Sequence, residues 1–283
     1  MLSGVLLAGC GSDSEPFAAA KNDDSSLAKP DNIRTWANTA SALALYANAY
    51  QPIAVADGKR TFDDPACPAT NDDGTTLSIE GGCTDAMGAS WVGRASVKRH
   101  ADGARELTLE DFGTQKGDAS DTRNGEASVR RIEDGSQDFS LSLVHESGVR
   151  VTIDYEGHVE GDYDARTVWS GSGTVTREGL LPPVGTLDVT TSAEVVDNDV
   201  CGQPASGNTT LTDEDDTVVV TYDGDVDCDD DQAATYTLNG TSKGKITGIA
   251  CTASPGRTGP EGASLLAIIL GVAGLRGRRR RAQ

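Results

Sequence analysis

Between residues 105 and 222, apolar side chains recur at every second position in runs divided by short polar turns. Leu107 and Leu109 alternate with polar neighbours, as do Phe139, Leu141 and Leu143; Val151, Ile153 and Tyr155; Leu187, Val189 and Ala193; and Val218, Val220 and Tyr222. A period of two puts these residues on one face of a strand and their polar neighbours on the other. Turn signals stand between the runs: Ala101-Asp102-Gly103, Asn124-Gly125, Asp134-Gly135, Ser147-Gly148 and Asn239-Gly240. Strands at this spacing, with no βαβ rhythm, predict a mainly β fold: an antiparallel meander forming a sandwich or barrel.

Upstream the period changes. Ile33, Trp36, Ala40, Leu43, Ala47 and Tyr50 are separated by three or four residues, which puts them on one face of a helix over 30–52. Asp31 is placed to cap it and Pro52 to stop it. The alanines on that face predict close packing against the sheet. With Arg34 its single basic residue, it lacks the Lys and Arg expected on the polar face of a helix that lies on a membrane.

One internal repeat is visible. Residues 90–99 (SWVGRASVKR) and 168–177 (VWSGSGTVTR) share the frame W-x-G-x-small-(S/T)-V-x-R. On a strand, Trp91 or Trp169 shares a face with the glycine two residues on, so the glycine gives a ring or a crossing strand room to lie flat. Stacking of the two tryptophans on sugar rings is the competing role.

Charge narrows the partners. Lys+Arg is 24 against Asp+Glu 44, a net charge of −20, and arginines crowd the last few positions, so the rest of the chain is more acidic still. Such a field repels nucleic acid and anionic lipid and favours cations, basic surfaces or plain solubility. The densest acidic stretch, 223–231, begins D-x-D-x-D at Asp223, Asp225 and Asp227, a spacing that can converge on Ca2+. Cys228 replaces the glycine of a calcium loop and Ala234 its bidentate glutamate, so the expectation is at most a weak cation site. His100, His145 and His158 are scattered, without a second His at metal-ligand spacing, and no G-x-S-x-G elbow is present. No catalytic residues are assigned.

The six cysteines are at 10, 67, 83, 201, 228 and 251. Cys67 and Cys83 flank a short Asn/Asp/Gly turn and a strand at 75–80, and read as a disulfide bracing a hairpin in an exported protein. Cys201 and Cys228 bracket strands at 208–212 and 217–222 and can pair likewise, or either can join Cys251 and leave the other free.

Both ends carry addresses. Met1 to Gly9 is apolar and runs into Leu7-Ala8-Gly9-Cys10. This resembles a bacterial lipobox, although no Lys or Arg precedes the apolar lead-in. The resemblance implies that Cys10 is lipidated after loss of a signal peptide at 1–9. Residues 10–29 are small, polar and aperiodic, as in a flexible tether. At the other end Cys251, a Ser/Pro/Gly spacer, an apolar run at 263–275 and arginines at 276 and 278–281 resemble the C-terminal sorting tails of myxobacterial surface proteins. That resemblance implies processing at Cys251 by a myxosortase. The apolar run is shorter than the roughly 20 residues a helix needs to cross a bilayer, which suits a temporary anchor. The segments 235–240 and 248–251 are similar to uncharacterised lipoproteins of such bacteria.

The expected organisation is a signal peptide (1–9), tether (10–29), helix (30–52), antiparallel β domain (53–198), disulfide-braced β module (199–252), spacer (253–262) and sorting tail (263–283). The expected function is that of an exported lipoprotein on the cell envelope or surface of a Gram-negative bacterium, held by lipid and tail, a non-catalytic structural or binding module for a protein or glycan. A second expectation is a hydrolase of envelope glycans, with Trp91 or Trp169 near a carboxylate pair; a third is the weak calcium module.

Overall fold

The computed structural model describes residues 25–161, 166–197, 204–222 and 233–249. Two helices, α1 (Pro30–Ala40) and α2 (Ala42–Ala56), precede fourteen strands. The first three, β1 (Ala69–Asp72), β2 (Thr76–Glu80) and β3 (Cys83–Thr84), are short; the longest follow as β4 (Ser90–Arg99), β5 (Arg105–Lys116), β6 (Ala119–Arg131), β7 (Gln137–Glu146), β8 (Arg150–Gly161), β9 (Arg166–Glu178) and β10 (Gly185–Asp197). The sheet ends with β11 (Pro204–Thr212), β12 (Thr217–Tyr222), β13 (Ala233–Leu238) and β14 (Thr241–Thr247). Each strand pairs antiparallel with its neighbour in sequence, except that β2 passes to β4 and β3 sits beside β4. The mainly β meander is therefore as the alternation predicts, and β11–β14 continue the same sheet through the β10–β11 pairing.

The sheet does not close. Among the described residues β1 and β14 lie at opposite ends of the strand order, so neither a barrel nor a two-sheet sandwich forms. The helices do what a second sheet would have done: α2 packs on β4, β5 and β7–β10, and α1 on β11 and β14. Leu107, Leu109, Leu141, Leu143, Ile153, Val175, Val189 and Leu211 face them, all almost wholly buried. At about 25 cal/mol per Å² of apolar surface removed from water, this shared face is the main stabilising term.

The helical segment differs from expectation in two ways. Ser41 takes an extended conformation (φ −62°, ψ 145°) and breaks it, and its side chain accepts the Ala44 N–H to cap α2. The break shifts the phase, so Leu45, Tyr46, Ala49, Tyr50 and Ile53 face the sheet while Leu43 and Ala47 are only half-buried. Pro52 does not stop α2; it is buried within it, and Ile53, Ala54 and Ala56 extend the apolar face, so packing outweighs the lost hydrogen bond. Asp31 is not the cap either. Lys29 holds that position, and Asp31 sits in the first turn, bonded to Arg34.

Both ends of the helical segment are tied to the sheet. Arg34 and Asn38 of α1 donate to the carbonyls of Thr247 and Gly248, just at and beyond the end of β14. At the other end Arg99 of β4 donates to the Ala56 carbonyl, and Asp57 pairs with Arg105 of β5 at 2.7 Å.

The turn signals hold with one exception. Asn124-Gly125 lies in the middle of β6, where Gly125 has φ 118° and an added Cβ would sit 2.2 Å from the Ser142 carbonyl oxygen. Asn124 bonds the backbone N–H and carboxylate of Asp111 across a bulge in β5. Turn chemistry here serves a bulge inside the sheet, not a hairpin end.

Candidate functional site

Side chains that point away from the helices form rows across the open face of the sheet. One row, in register from β5 to β11, reads Thr108, Glu126, Ser142, Asp154, Thr174, Asp188 and Thr212. The next reads Glu106, Ser128, Ser140, Glu156, Ser172, Thr190 and Thr210. Both rows consist wholly of carboxylates and hydroxyls. Neighbouring strands lie about 4.8 Å apart, so carboxylates two strands apart recur at roughly 10 Å. A partner presenting cationic groups at that spacing meets acceptors already in place, with no apolar surface between them.

A third row, at one end of this face, borders a shallow groove. Arg130, Asp138, His158 and Ser170 stand side by side on β6, β7, β8 and β9. Asp138 is 2.9 Å from His158 Nδ1 and 3.0 Å from Arg130 Nη2. These two bonds, that from His158 first, hold the Asp138 carboxyl below its ordinary range. Asp, His and Ser on adjacent strands are the residue types of an acyl-transfer triad, but the geometry is not that of one. Ser170 Oγ accepts the Ala193 N–H at 3.2 Å, and His158 Nε2 is 3.8 Å from Glu160 Oε1. The other two histidines are also paired with carboxylates: His100 with Glu106 and His145 with Asp121, each at 2.9 Å.

The Asp121 pair sits where β6 and β7 meet α2. Arg123 Nη1 is 2.9 Å from Asp121 Oδ1, and its Nε donates to Asn48 of α2 at 3.2 Å. Burial pushes the Asp121 carboxyl up, but His145 and Arg123 together outweigh it and hold it below the usual range. This cluster fastens the helix.

Neither tryptophan of the repeat is available to stack on a sugar. Trp91 is buried between Phe62 and Phe112, at centroid distances of 5.2 and 5.5 Å. Trp169 is wholly buried against Tyr46 and Phe139, at 5.2 and 5.7 Å, and its Nε1 donates to Thr167. The steric role of the glycine holds: a Cβ at Gly171 would sit 2.6 Å from the Tyr155 hydroxyl, and one at its cross-strand partner Gly157 2.4 Å from Phe139 Cζ.

Cys67 and Cys83 form a disulfide. It encloses two strands, β1 and β2, where the sequence suggests one. Cys10, Cys201, Cys228 and Cys251, and the candidate calcium ligands Asp223, Asp225 and Asp227, lie outside the described residues. Among the described residues no group of three or more His, Cys, Asp or Glu side chains could hold a metal ion.

One polar residue escaped the sequence reading. The alternation assigns Ala193 to the inner face, yet a bulge in β10 turns Ala193 outward with φ 48° and brings Glu194 into the core. Glu194 Oε2 and Oε1 face the Ala42 and Leu43 amides at 3.3 and 3.5 Å. A polar residue directly after an alternating run was the available signal, but alternation alone cannot locate a bulge. No protein-family model, curated protein or solved structure matches this chain.

Proposed function

We propose that the protein is an exported cell-envelope lipoprotein acting as a non-catalytic binding module, and that the open sheet face of β5–β11 is its binding surface for a cationic partner. The observation that carries this reading is the pair of rows made up wholly of carboxylates and hydroxyls, strictly alternating in the row from Thr108 to Thr212, with no apolar residue between them. The helices fill the other face, and the aromatic rings a glycan hydrolase would use are in the core. Export is supported by the Cys67–Cys83 disulfide, which persists in oxidising compartments. Anchoring rests on the lipobox-like sequence ending at Cys10 and the sorting-tail-like sequence from Cys251.

Two measurements test the two halves of the proposal. Intact mass of the mature protein from membranes should give a lipidated species beginning at Cys10 and ending at Cys251; an unlipidated species retaining both Met1 and Gln283 defeats the anchoring half. For the surface, E126Q/D154N/D188N should weaken binding to isolated cell-envelope material at least tenfold at low salt. The same number of neutral substitutions in the acidic turn at Asp213, Asp215 and Asp216 should leave it within twofold. Equal losses from the two sets would mean bulk charge, not the ordered face, does the binding.

A further inference from the structure

The two strands that follow the tryptophan strands share a device. In each, two successive residues face outward at a bulge, the second with φ 48°, and the next turns inward. In β5 those residues are Glu110, Asp111 and then Phe112, which packs on Trp91. In β10 they are Ser192, Ala193 and then Glu194, opposite Trp169 in register. A carboxyl thus stands where the other bulge delivers a phenyl ring, and it is 0% exposed. Burying a carboxyl without a cation is costly, so its partners are informative.

Those partners lie at the helix break. Because Ser41 is extended, the first amides of α2 have no carbonyl within the helix to bond, and Glu194 accepts from Ala42 and Leu43. Thr209 of β11 donates to Glu194 Oε2 at 3.4 Å, and its own hydroxyl is 3.0 Å from that of Tyr222 on β12. The titratable groups facing the carboxyl are the phenols of Tyr222 and Tyr155 on β8, both held neutral by burial. α2 offers only backbone amides, β9 only Trp169, and no Lys, Arg or His among the described residues bonds it.

We propose that Glu194 is a pH-gated pin between the helix break and the β10 bulge, holding the helices most firmly when protonated and loosening them as it ionises. Two effects oppose each other at this carboxyl. The amides and positive end of α2 favour the anion, while burial favours the neutral acid. Burial is the larger, and it raises the carboxyl from 4.5 to about 7. Because the folded state holds this proton more tightly than the unfolded one, the added stability is fully present below pH 4.5 and is lost as the pH rises through about 7.

The test uses the full-length protein and E194Q, which keeps an acceptor oxygen for one of the two amides, Ala42 or Leu43, and cannot ionise. Between pH 4.5 and 8 the folding equilibrium constant of the wild type should fall by about 150-fold more than that of E194Q. Exchange of the Ala42 and Leu43 amide hydrogens should accelerate in parallel, beyond the intrinsic effect of pH. General repulsion in the acidic body acts on both proteins and cancels in the comparison. Parallel pH profiles for the two proteins would overturn the proposal. Should E194Q not fold, carboxyl-carbon NMR of the wild type decides alone: titration of Glu194 near 7 supports the pin, and titration near 4.5 removes it.

Discussion

Arg99 grips Asp72 at two points, Nη1 to Oδ1 and Nη2 to Oδ2, each at 2.7 Å. The same guanidinium donates from Nε and Nη2 to the Ala56 carbonyl at 3.0 and 2.6 Å, so one side chain joins β1, β4 and the end of α2. Its counterpart in the repeat, Arg177, donates to the carbonyls of Leu181 and Pro183. The last position of the repeat thus serves twice as a cap on chain carbonyls.

Arg99→Ala should therefore lower stability by about 1–2 kcal/mol in urea unfolding, because it removes a charged donor from a helix end. Arg99→Lys keeps the charge but not the fork, and should recover only part of the loss. Acid acts on the same link through its partner. Bonding to Arg99, with the Gly74 amide, lowers the Asp72 carboxyl from 3.8 to about 2. Its stabilisation is present above pH 3.8 and disappears as the pH falls through about 2, so acid unfolding of R99A should begin at higher pH than that of the wild type.

The Cys67–Cys83 bond closes a loop of sequence separation 16 around β1 and β2. Constraining a loop of this size in the unfolded chain is worth about 3 kcal/mol. C67A/C83A should lose about that much. Its amide exchange should speed first in β1, a four-residue edge strand with every residue exposed.

All three tryptophans are buried: Trp36 is 1% exposed, Trp91 5% and Trp169 0%. The native protein should emit at short wavelength and resist quenching by acrylamide until it unfolds. A quenchable tryptophan in the folded protein, protected by added glycan, would return Trp91 or Trp169 to a sugar-stacking role. Trp169→Ala should cost about 3–5 kcal/mol, since it empties the space between Tyr46 and Phe139 and removes the donor to Thr167.

The strands were legible because the long runs keep a period of two outside their bulges, and Phe139, Leu141 and Leu143 are buried as that period requires. Errors arose where one residue is added or one conformation departs from the regular. The extended Ser41 moves the helix face from Leu43 and Ala47 to Leu45, Tyr46 and Ala49. The β10 bulge exchanges Ala193 for Glu194. Closure was also beyond local pattern, because alternation states that a face is buried, not whether strands or helices cover it. The open-face rows had the same limit: Glu126, Asp154 and Asp188 are far apart in sequence and become neighbours only through register.

The centre of the sheet allows a sharp test of packing. Gly171 and Gly157 pair across β9 and β8, beneath the rings of Phe139 and Tyr155. A methyl group at 171 would meet the Glu156 carbonyl oxygen at 2.4 Å, the Tyr155 hydroxyl at 2.6 Å and Gly157 Cα at 2.7 Å. Two of those contacts are backbone in the middle of a paired strand and cannot swing aside. Gly171→Ala should cost about 1–3 kcal/mol or more, although alanine ordinarily suits a strand better than glycine. Gly179→Ala is the control: its nearest neighbours are the Val149 methyls at 3.6 and 3.7 Å, an ordinary contact. That change should stay within about 0.5 kcal/mol of the wild type. Equal stability of the two variants in urea unfolding would mean that β8 and β9 do not approach as closely as these distances require.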